Sequence, residues 1–356
     1  MKTKTFHKKL LSLSIAFIIA SPVIAQEEAS EEINNTDFIE QIIVTGTASG
    51  TAIRKVDASY ASTSLSAADI LKLAPKSTAE LFRAIPGVWA ESSGGVSGAN
   101  VFVRGFPGGG DAPFLTVQLQ GVGIYTPPSV SFLENSTLFR VDETIQFMDA
   151  LRGGPASVLS NGQPGLTTNF LLKEGSEITE GTFKYTTSDY GLQRIDAVLS
   201  GALDEDFYYM IGGYVQQSSG VRDAGFTSEK GNQFTINLTK ELDNGKINLY
   251  TRITDDHGTW YTPSPLIDSV DNSFVHLGTL NRQATINYGP EDDSTSEAVD
   301  FGEGRGWDGS VSGGSINLEL GDGWTFVDRF SFTKGEADTL GLVTNGDPVA
   351  LSSVAD

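Results

Sequence analysis

From Thr179 onward the chain alternates apolar and polar residues with a period of two, in segments parted by short turn-forming clusters. Phe183 and Tyr185 mark the first segment. Ile195, Ala197, Leu199 and Leu203 mark the second, opposite Arg194, Asp196 and Ser200. Phe207, Tyr209, Ile211 and Val215 follow, then Phe234, Ile236 and Leu238 opposite Thr235, Asn237 and Thr239. Ile247, Leu249 and Ile253 make a fifth, Ile316, Leu318 and Leu320 a sixth, and Trp324, Phe326, Phe330 and Phe332 a seventh. A period of two predicts strands with one apolar and one polar face. Asp204-Glu205-Asp206, Asp243-Asn244-Gly245 and Gly321-Asp322-Gly323 predict tight turns. The connections between them are longer, at 218–230 and, longest, from 255 to about 313; only the one around Tyr190-Gly191 is short. Short turns at one rim and long loops at the other are the pattern of a membrane barrel with lipid outside. Asp328 falls on the apolar face of the seventh strand, a position expected to be a bulge or a strand end.

No other mode of membrane residence is open to this chain. Lys2, Lys4, Lys8 and Lys9 precede an apolar run over 10–20, broken by Ser21-Pro22 and followed by Val23-Ile24-Ala25. This is the three-part pattern of a secretory signal, with cleavage expected after Ala25. Its apolar run is about half of what a helix needs to span a bilayer. Cysteine is absent, so disulfides and thiolate metal sites are excluded. The formal charge of -21 falls to -25 once the leader's four lysines are gone. Such a balance argues against nucleic-acid binding by phosphate neutralisation.

After the leader, Glu27, Glu28, Glu31 and Glu32 make an acidic stretch expected to be a disordered tail. Within it Ile42-Ile43-Val44-Thr45 is a β-prone island, fit to add to another protein's sheet edge or to serve as a first strand. Ser66 precedes a short helix over 67–73 that stops before Pro75. Ser77-Thr78-Ala79-Glu80 forms a capping box for a second helix carrying Leu81, Phe82 and Ile85 and ending at Pro86-Gly87. Asn100 to Arg104 reads as a strand. So does Thr116 to Leu119, with Gly121 to Tyr125 as its continuation. The glycine-rich loop at 105–110 is followed by Asp111-Ala112-Pro113 rather than a helix and a lysine, so it is no phosphate cradle.

Three of these stretches carry a resemblance. Leu81-Phe82-Arg83-Ala84-Ile85-Pro86-Gly87-Val88, the Arg104-Gly105 pair, and Leu151-Arg152-Gly153-Gly154-Pro155 resemble the plug domain of TonB-dependent receptors of the bacterial outer membrane. The stretch ending in Val44-Thr45-Gly46 is similar to their TonB-coupling motif. The resemblance implies an α+β plug domain followed by an antiparallel transmembrane β-barrel, with about seven strands present. The divisions are a signal peptide at 1–25, a tail with a TonB-box-like segment at 26–47, a plug at 48–175 and the N-terminal part of the barrel at 176–356. Plugged barrels use about 22 strands, and the chain ends without an aromatic final strand, so a truncated receptor is expected. Gln120-Gly121 stands where the family usually has aspartate-glycine, and 165–172 departs from the family's usual ending.

The functional expectations follow from that resemblance. They are energy-coupled uptake of a scarce solute such as a siderophore, cobalamin or oligosaccharide, with no catalysis and no cofactor. TonB, driven by the inner-membrane ExbB/ExbD complex, is the implied partner of Ile42, Ile43, Val44 and Thr45 in the outer membrane of a Gram-negative bacterium. A monomer in outer-membrane lipid is implied for the complete protein, with a small-molecule or metal-chelate ligand. Arg104 and Arg152 are implied to anchor the plug on barrel carboxylates. Gly108, Gly109 and Asp111 are expected at a plug apex facing the ligand. In the long loop Trp260, Tyr261 and Trp307 are candidates to stack on ligand rings, or else loop-packing aromatics. Asp255, Asp256 and His257 have poor spacing for a metal. A passive porin-like channel or a sensing or adhesion receptor is the alternative.

Overall fold

Two sheets of opposite character follow from two kinds of strand. The computed structural model describes residues 42–43, 53–54, 61–92, 95–97, 99–106, 114–124, 135–153, 165–221, 226–261, 283–288 and 295–341. These all belong to one compact unit, Glu40–Asp356. The leader, Val44, Thr45, Gly108, Gly109, Asp111, residues 154–159 and 262–282 of the long connection lie outside the described residues.

The first described strands are two residues each, β1 (Ile42–Ile43) and β2 (Ile53–Arg54), paired antiparallel. Next come β3 (Ala61–Ser66), β4 (Val88–Glu91), β5 (Asn100–Val103), β6 (Leu115–Leu119), β7 (Val122–Ile124), β8 (Ile145–Arg152) and β9 (Leu166–Leu172). β4 and β5 form a separate hairpin. The others make a mixed sheet in the order β3-β8-β9-β6-β7, in which β6 and β9 run parallel and the rest antiparallel. All five residues of β6 are buried, as a central strand covered on both faces requires. Helices α1 (Ala67–Leu73) and α2 (Thr78–Phe82) carry part of the cover. Leu81 and Phe82 are fully buried, contributing about 1.5–3 kcal/mol each.

Local chemistry explains both helix starts. At α1 the Ser66 hydroxyl accepts from Asp69 N–H at 3.2 Å, and the Asp69 carboxylate accepts from Ser66 N–H at 3.1 Å, a complete capping box. At α2, Ser77 accepts from Glu80 N–H at 3.1 Å, but Glu80 takes the N–H of Lys76 at 2.7 Å instead of the cap's own. The expected box is therefore half made there. A second correction concerns 116–125. Gln120 (φ 53°) and Gly121 (φ 83°) are both left-handed, so the chain reverses in a hairpin turn and β7 returns antiparallel on β6 rather than continuing it.

The wall is a sheet of seven strands in sequential antiparallel order: β10 (Glu180–Thr187), β11 (Gln193–Asp204), β12 (Phe207–Ser218), β13 (Glu229–Leu242), β14 (Gly245–Gly258), then β17 (Arg305–Gly321) and β18 (Trp324–Thr339). Its burial is inverted relative to a water-soluble sheet. Phe183, Phe234, Leu249, Ile253 and Phe330 are exposed on the outer face, while Thr235, Asn237, Asn248 and Thr254 are buried on the inner one. An apolar outside and a polar inside suit lipid outside and plug inside.

The long connection differs from expectation. β14 runs to Gly258 and β17 starts at Arg305, so the connection is shorter, and it holds a hairpin of β15 (Gln283–Tyr288) and β16 (Thr295–Asp300). Asp328 sits in register opposite Ile316; the irregularity between β17 and β18 lies at Glu319/Gly321, so no bulge explains it.

Candidate functional site: a charged seam between plug and wall

Strand pleating turns every second residue of the wall inward, which sends Arg194 and Asp196 of β11 and Arg252 and Asp256 of β14 toward the plug. Facing them is the segment 139–144, between a 3-10 turn (Asn135–Leu138) and β8. Arg140 of this segment donates from Nε to Asp256 Oδ1 at 2.7 Å, and its other nitrogens reach Ser97 Oγ at 2.7 Å and the carbonyls of Ser136 and Thr137. Asp256 Oδ2 also accepts from the Tyr214 hydroxyl at 2.8 Å and Gln216 Nε2 at 2.7 Å. One turn of chain further, the polarity is reversed. Here the plug supplies the acid: Asp142 accepts from Arg252 at 3.2 Å and Gln233 at 2.6 Å. Arg252 also donates to the Arg140 carbonyl at 3.0 Å and to Thr144 Oγ1 at 2.6 Å.

Arg194 forms a two-pronged pair with Asp196, at 2.8 and 2.7 Å, and donates to the plug carbonyl of Val141 at 3.1 Å. Its guanidinium lies 4.0 Å over the Tyr214 ring. Lys184 pairs with Glu143 of the plug. Three guanidinium groups and three carboxylates thus balance at the centre of the seam, and Arg140, Asp142, Asp196, Arg252 and Asp256 are all buried. Buried ion pairs gain little over apolar packing, yet removing one member leaves an unpaired charge at a cost of about 3–5 kcal/mol. The seam therefore sets position more than it adds stability.

Toward the tight-turn rim the seam is made of amides. Gln120 of the β6–β7 turn donates to Asn248 at 3.2 Å and accepts from Leu172 N–H at 3.1 Å. Asn248 donates on to Asn237 at 2.7 Å, and Asn237 to the Lys173 carbonyl at 2.9 Å. This is the role of the glutamine that stands where aspartate was expected: its longer side chain spans from the turn to the wall.

The residues singled out from sequence are placed as follows. Ile42 and Ile43 form β1 and are paired with Ile53 and Arg54. Arg104 and Arg152 meet no wall carboxylate among the described residues. Arg104 is exposed, with its left-handed backbone (φ 50°) tied to the Gly87 carbonyl at 2.8 Å. Arg152 donates to the plug carbonyls of Pro86 at 3.2 Å and Ser62 at 3.3 Å. Burial, and then the neighbouring Arg104, push the Arg152 guanidinium below its ordinary pKa. The plug–wall ion pairs seen among the described residues are made by Arg140, Asp142, Glu143 and Glu174 of the plug.

The aromatic candidates are packed rather than presented. Trp307 is an inward residue of β17 in the apolar core, 5% exposed. Tyr261 is equally buried and donates to Ser228 Oγ at 3.1 Å; a side chain at Gly220 would collide with its hydroxyl. Trp260 lies under the Arg305 guanidinium, 4.1 Å away. Asp255, Asp256 and His257 fall in β14, not in a loop, so they alternate in and out; His257 Nε2 lies 3.3 Å from Asp255 and Asp256 serves the seam. Sequence reasoning missed Arg140, Asp142, Arg252 and Gln233. A signal was present in charged residues in phase with the polar face of a membrane strand, where each needs a partner inside the barrel.

Residues 54–166 match the family model of the TonB-dependent receptor plug domain. No curated protein matches the chain in sequence. Among solved structures it is similar to the ferripyoverdine receptor of the outer membrane of Pseudomonas aeruginosa bound to ferripyoverdine, with 16% identity and a TM-score of 0.64 over 87% of this chain and 38% of that one. It is also similar to the alcaligin outer membrane receptor FauA from Bordetella pertussis, with 14% identity and a TM-score of 0.57 over 83% and 42%. A third is the ferric yersiniabactin uptake receptor FyuA from Yersinia pestis, at 14% and 0.55 over 75% and 39%. At such identities the likeness is one of fold. The chain spans 38% to 42% of the length of these receptors.

Proposed function

We propose, from a chain whose residues 54–166 are a TonB-dependent receptor plug domain seated against an outer-membrane wall, that it serves energy-coupled uptake of a scarce solute. The observation that carries this reading is the polar seam. A plug held by ion pairs and amides can be re-solvated as it shifts, whereas an apolar interface would resist parting in water. The tail from the leader's end to β1 is the natural handle. In this reading TonB, energised by ExbB/ExbD, takes Ile42, Ile43, Val44 and Thr45 by strand addition. The two rungs that β1 makes with β2 open first. Two of the receptors of like fold are named for iron chelates, ferripyoverdine and ferric yersiniabactin, and an iron chelate is the solute class we favour. The solute passes chemically unaltered. The leader at 1–25 delivers the chain to the outer membrane, where the apolar outer face meets lipid. Arg104 and Arg152, two guanidiniums near one another, are fit to receive carboxylates of further wall strands.

The test is radiolabelled iron-chelate uptake by cells producing the receptor as their iron route. Ile43→Pro removes a ladder donor and is expected to abolish uptake while surface binding of the chelate persists. Equal loss of binding would assign β1 to plug structure alone; unimpaired uptake would sink the coupling role.

A further inference from the structure

Between the plug's α1–α2 segment and the first wall strands, at the rim with the longer connections, lies a cavity of about 440 Å³. A second of about 310 Å³ adjoins it, and Lys76, Val96 and Glu229 line both. Most charged residues around the larger cavity are already engaged. Lys184 holds Glu143, Arg194 holds Asp196, and Asp142 holds Arg252. Glu229 is engaged on one side only, by the Ser218 hydroxyl. It is 3% exposed, and its Oε1 has no hydrogen-bond partner among the described residues. Ser188, on the same cavity, likewise has a buried and unpartnered Oγ. The seam uses neither residue.

A buried carboxylate oxygen without a donor is costly, so the chemistry of an occupant is constrained. Glu229 disfavours an anion. Among the described residues no group of three or more potential ligands could hold a metal ion. A primary ammonium has three donors and no acceptor, which suits a buried carboxylate short of donors. The remaining lining, from Ile70, Pro75, Val96, Leu192 and the Tyr190 ring, suits a hydrocarbon body. We propose that this cavity binds the ammonium group of a small apolar-bodied amine, with Glu229 as counter-charge. Lys76, whose Nζ lies 5.2 Å over the Tyr190 ring, is a like charge beside the site and opposes the ligand. The inference needs only the cavity and stands apart from the uptake reading.

Calorimetric titration of the full chain in detergent with butylamine, butanol and butyrate tests it. The amine is expected to bind, and the alcohol and acid to give no heat over the same range. Glu229→Gln should weaken the amine by about tenfold or more, and Lys76→Met should tighten it. Equal binding of butanol and butylamine overturns the proposal. So does unchanged amine affinity in Glu229→Gln, or weaker binding in Lys76→Met. Should the Glu229 variant lose the near-ultraviolet circular dichroism of the parent, Lys76→Met still decides the question from the plug side.

Discussion

Arg252 meets four acceptors from one inward position of β14: Thr235 Oγ1, the Arg140 carbonyl, Asp142 Oδ1 and Thr144 Oγ1. Such a group is cheap to keep and costly to halve. Arg252→Met strands Asp142 in a buried site and is expected to destabilise the folded receptor by about 3–5 kcal/mol. Adding Asp142→Leu removes the stranded charge and should restore most of that loss. Thermal unfolding in detergent measures both; a double variant as unstable as the single would show that the two residues are not coupled. None of this pairing was legible in the sequence, because Asp142 and Arg252 lie 110 positions apart and local pattern carries no information across that distance. Arg104 and Arg152 drew attention through adjacent glycines, whereas Arg140 lacks any such marker.

At the scale of elements, period and punctuation were the legible parts. All seven wall strands emerge from alternation alone, since a membrane strand must keep one apolar face throughout. Helix α1 was legible through Ser66, and the structure adds Asp69 as the partner that completes its capping box. The β6–β7 hairpin was hidden because Gln120 is no usual turn residue at positive φ. Its stability rests on Gly121, whose N–H donates to Asn169 Oδ1 at 2.8 Å. A methyl group there would lie 3.2 Å from Arg329 Cδ and force φ 83° on a residue that disfavours it. Gly121→Ala should therefore cost about 1–2 kcal/mol, read as a lowered melting temperature. Gln120→Ala should loosen only the plug's tight-turn rim, seen as faster proteolysis near residue 120 with the wall intact.

For the molecule as a whole, the inversion of burial makes a simple demand on its surroundings. Phe234 lies mid-strand on the outer face of β13, opposite Gly213 of β12 and Ile253 of β14, and is 47% exposed. Arginine there would stand in hydrocarbon at about 2–4 kcal/mol. Phe234→Arg is thus expected to reduce folded yield in bilayers far more than Asp243→Arg in the exposed turn between β13 and β14. Heat-modifiable gel migration after refolding into vesicles reports the difference, and equal yields for Phe234→Arg and the parent would deny the outer face its lipid.

The order β3-β8-β9-β6-β7 leaves β3, the strand nearest the N-terminal tail, at the margin of the plug sheet. Once the two β1–β2 rungs have opened, tension applied through the tail reaches that one ladder next. Six rungs, from Ala61↔Arg152 to Ser66↔Phe147, resist it there. A load across the strand breaks them singly, and a load along it must break them together, so the direction of pull sets the strength of the joint. The remaining four strands can stay zipped while β3 departs, and its departure removes the Ser62 carbonyl from Arg152. A mechanical fuse of this kind can be welded. Paired cysteines at Ser62 and Leu151, opposite one another in register, would be the sole cysteines in the chain. Oxidised, they should halt uptake without weakening ligand capture, and a reductant should restore it; uptake through the closed bond would mean the tail's load is borne elsewhere.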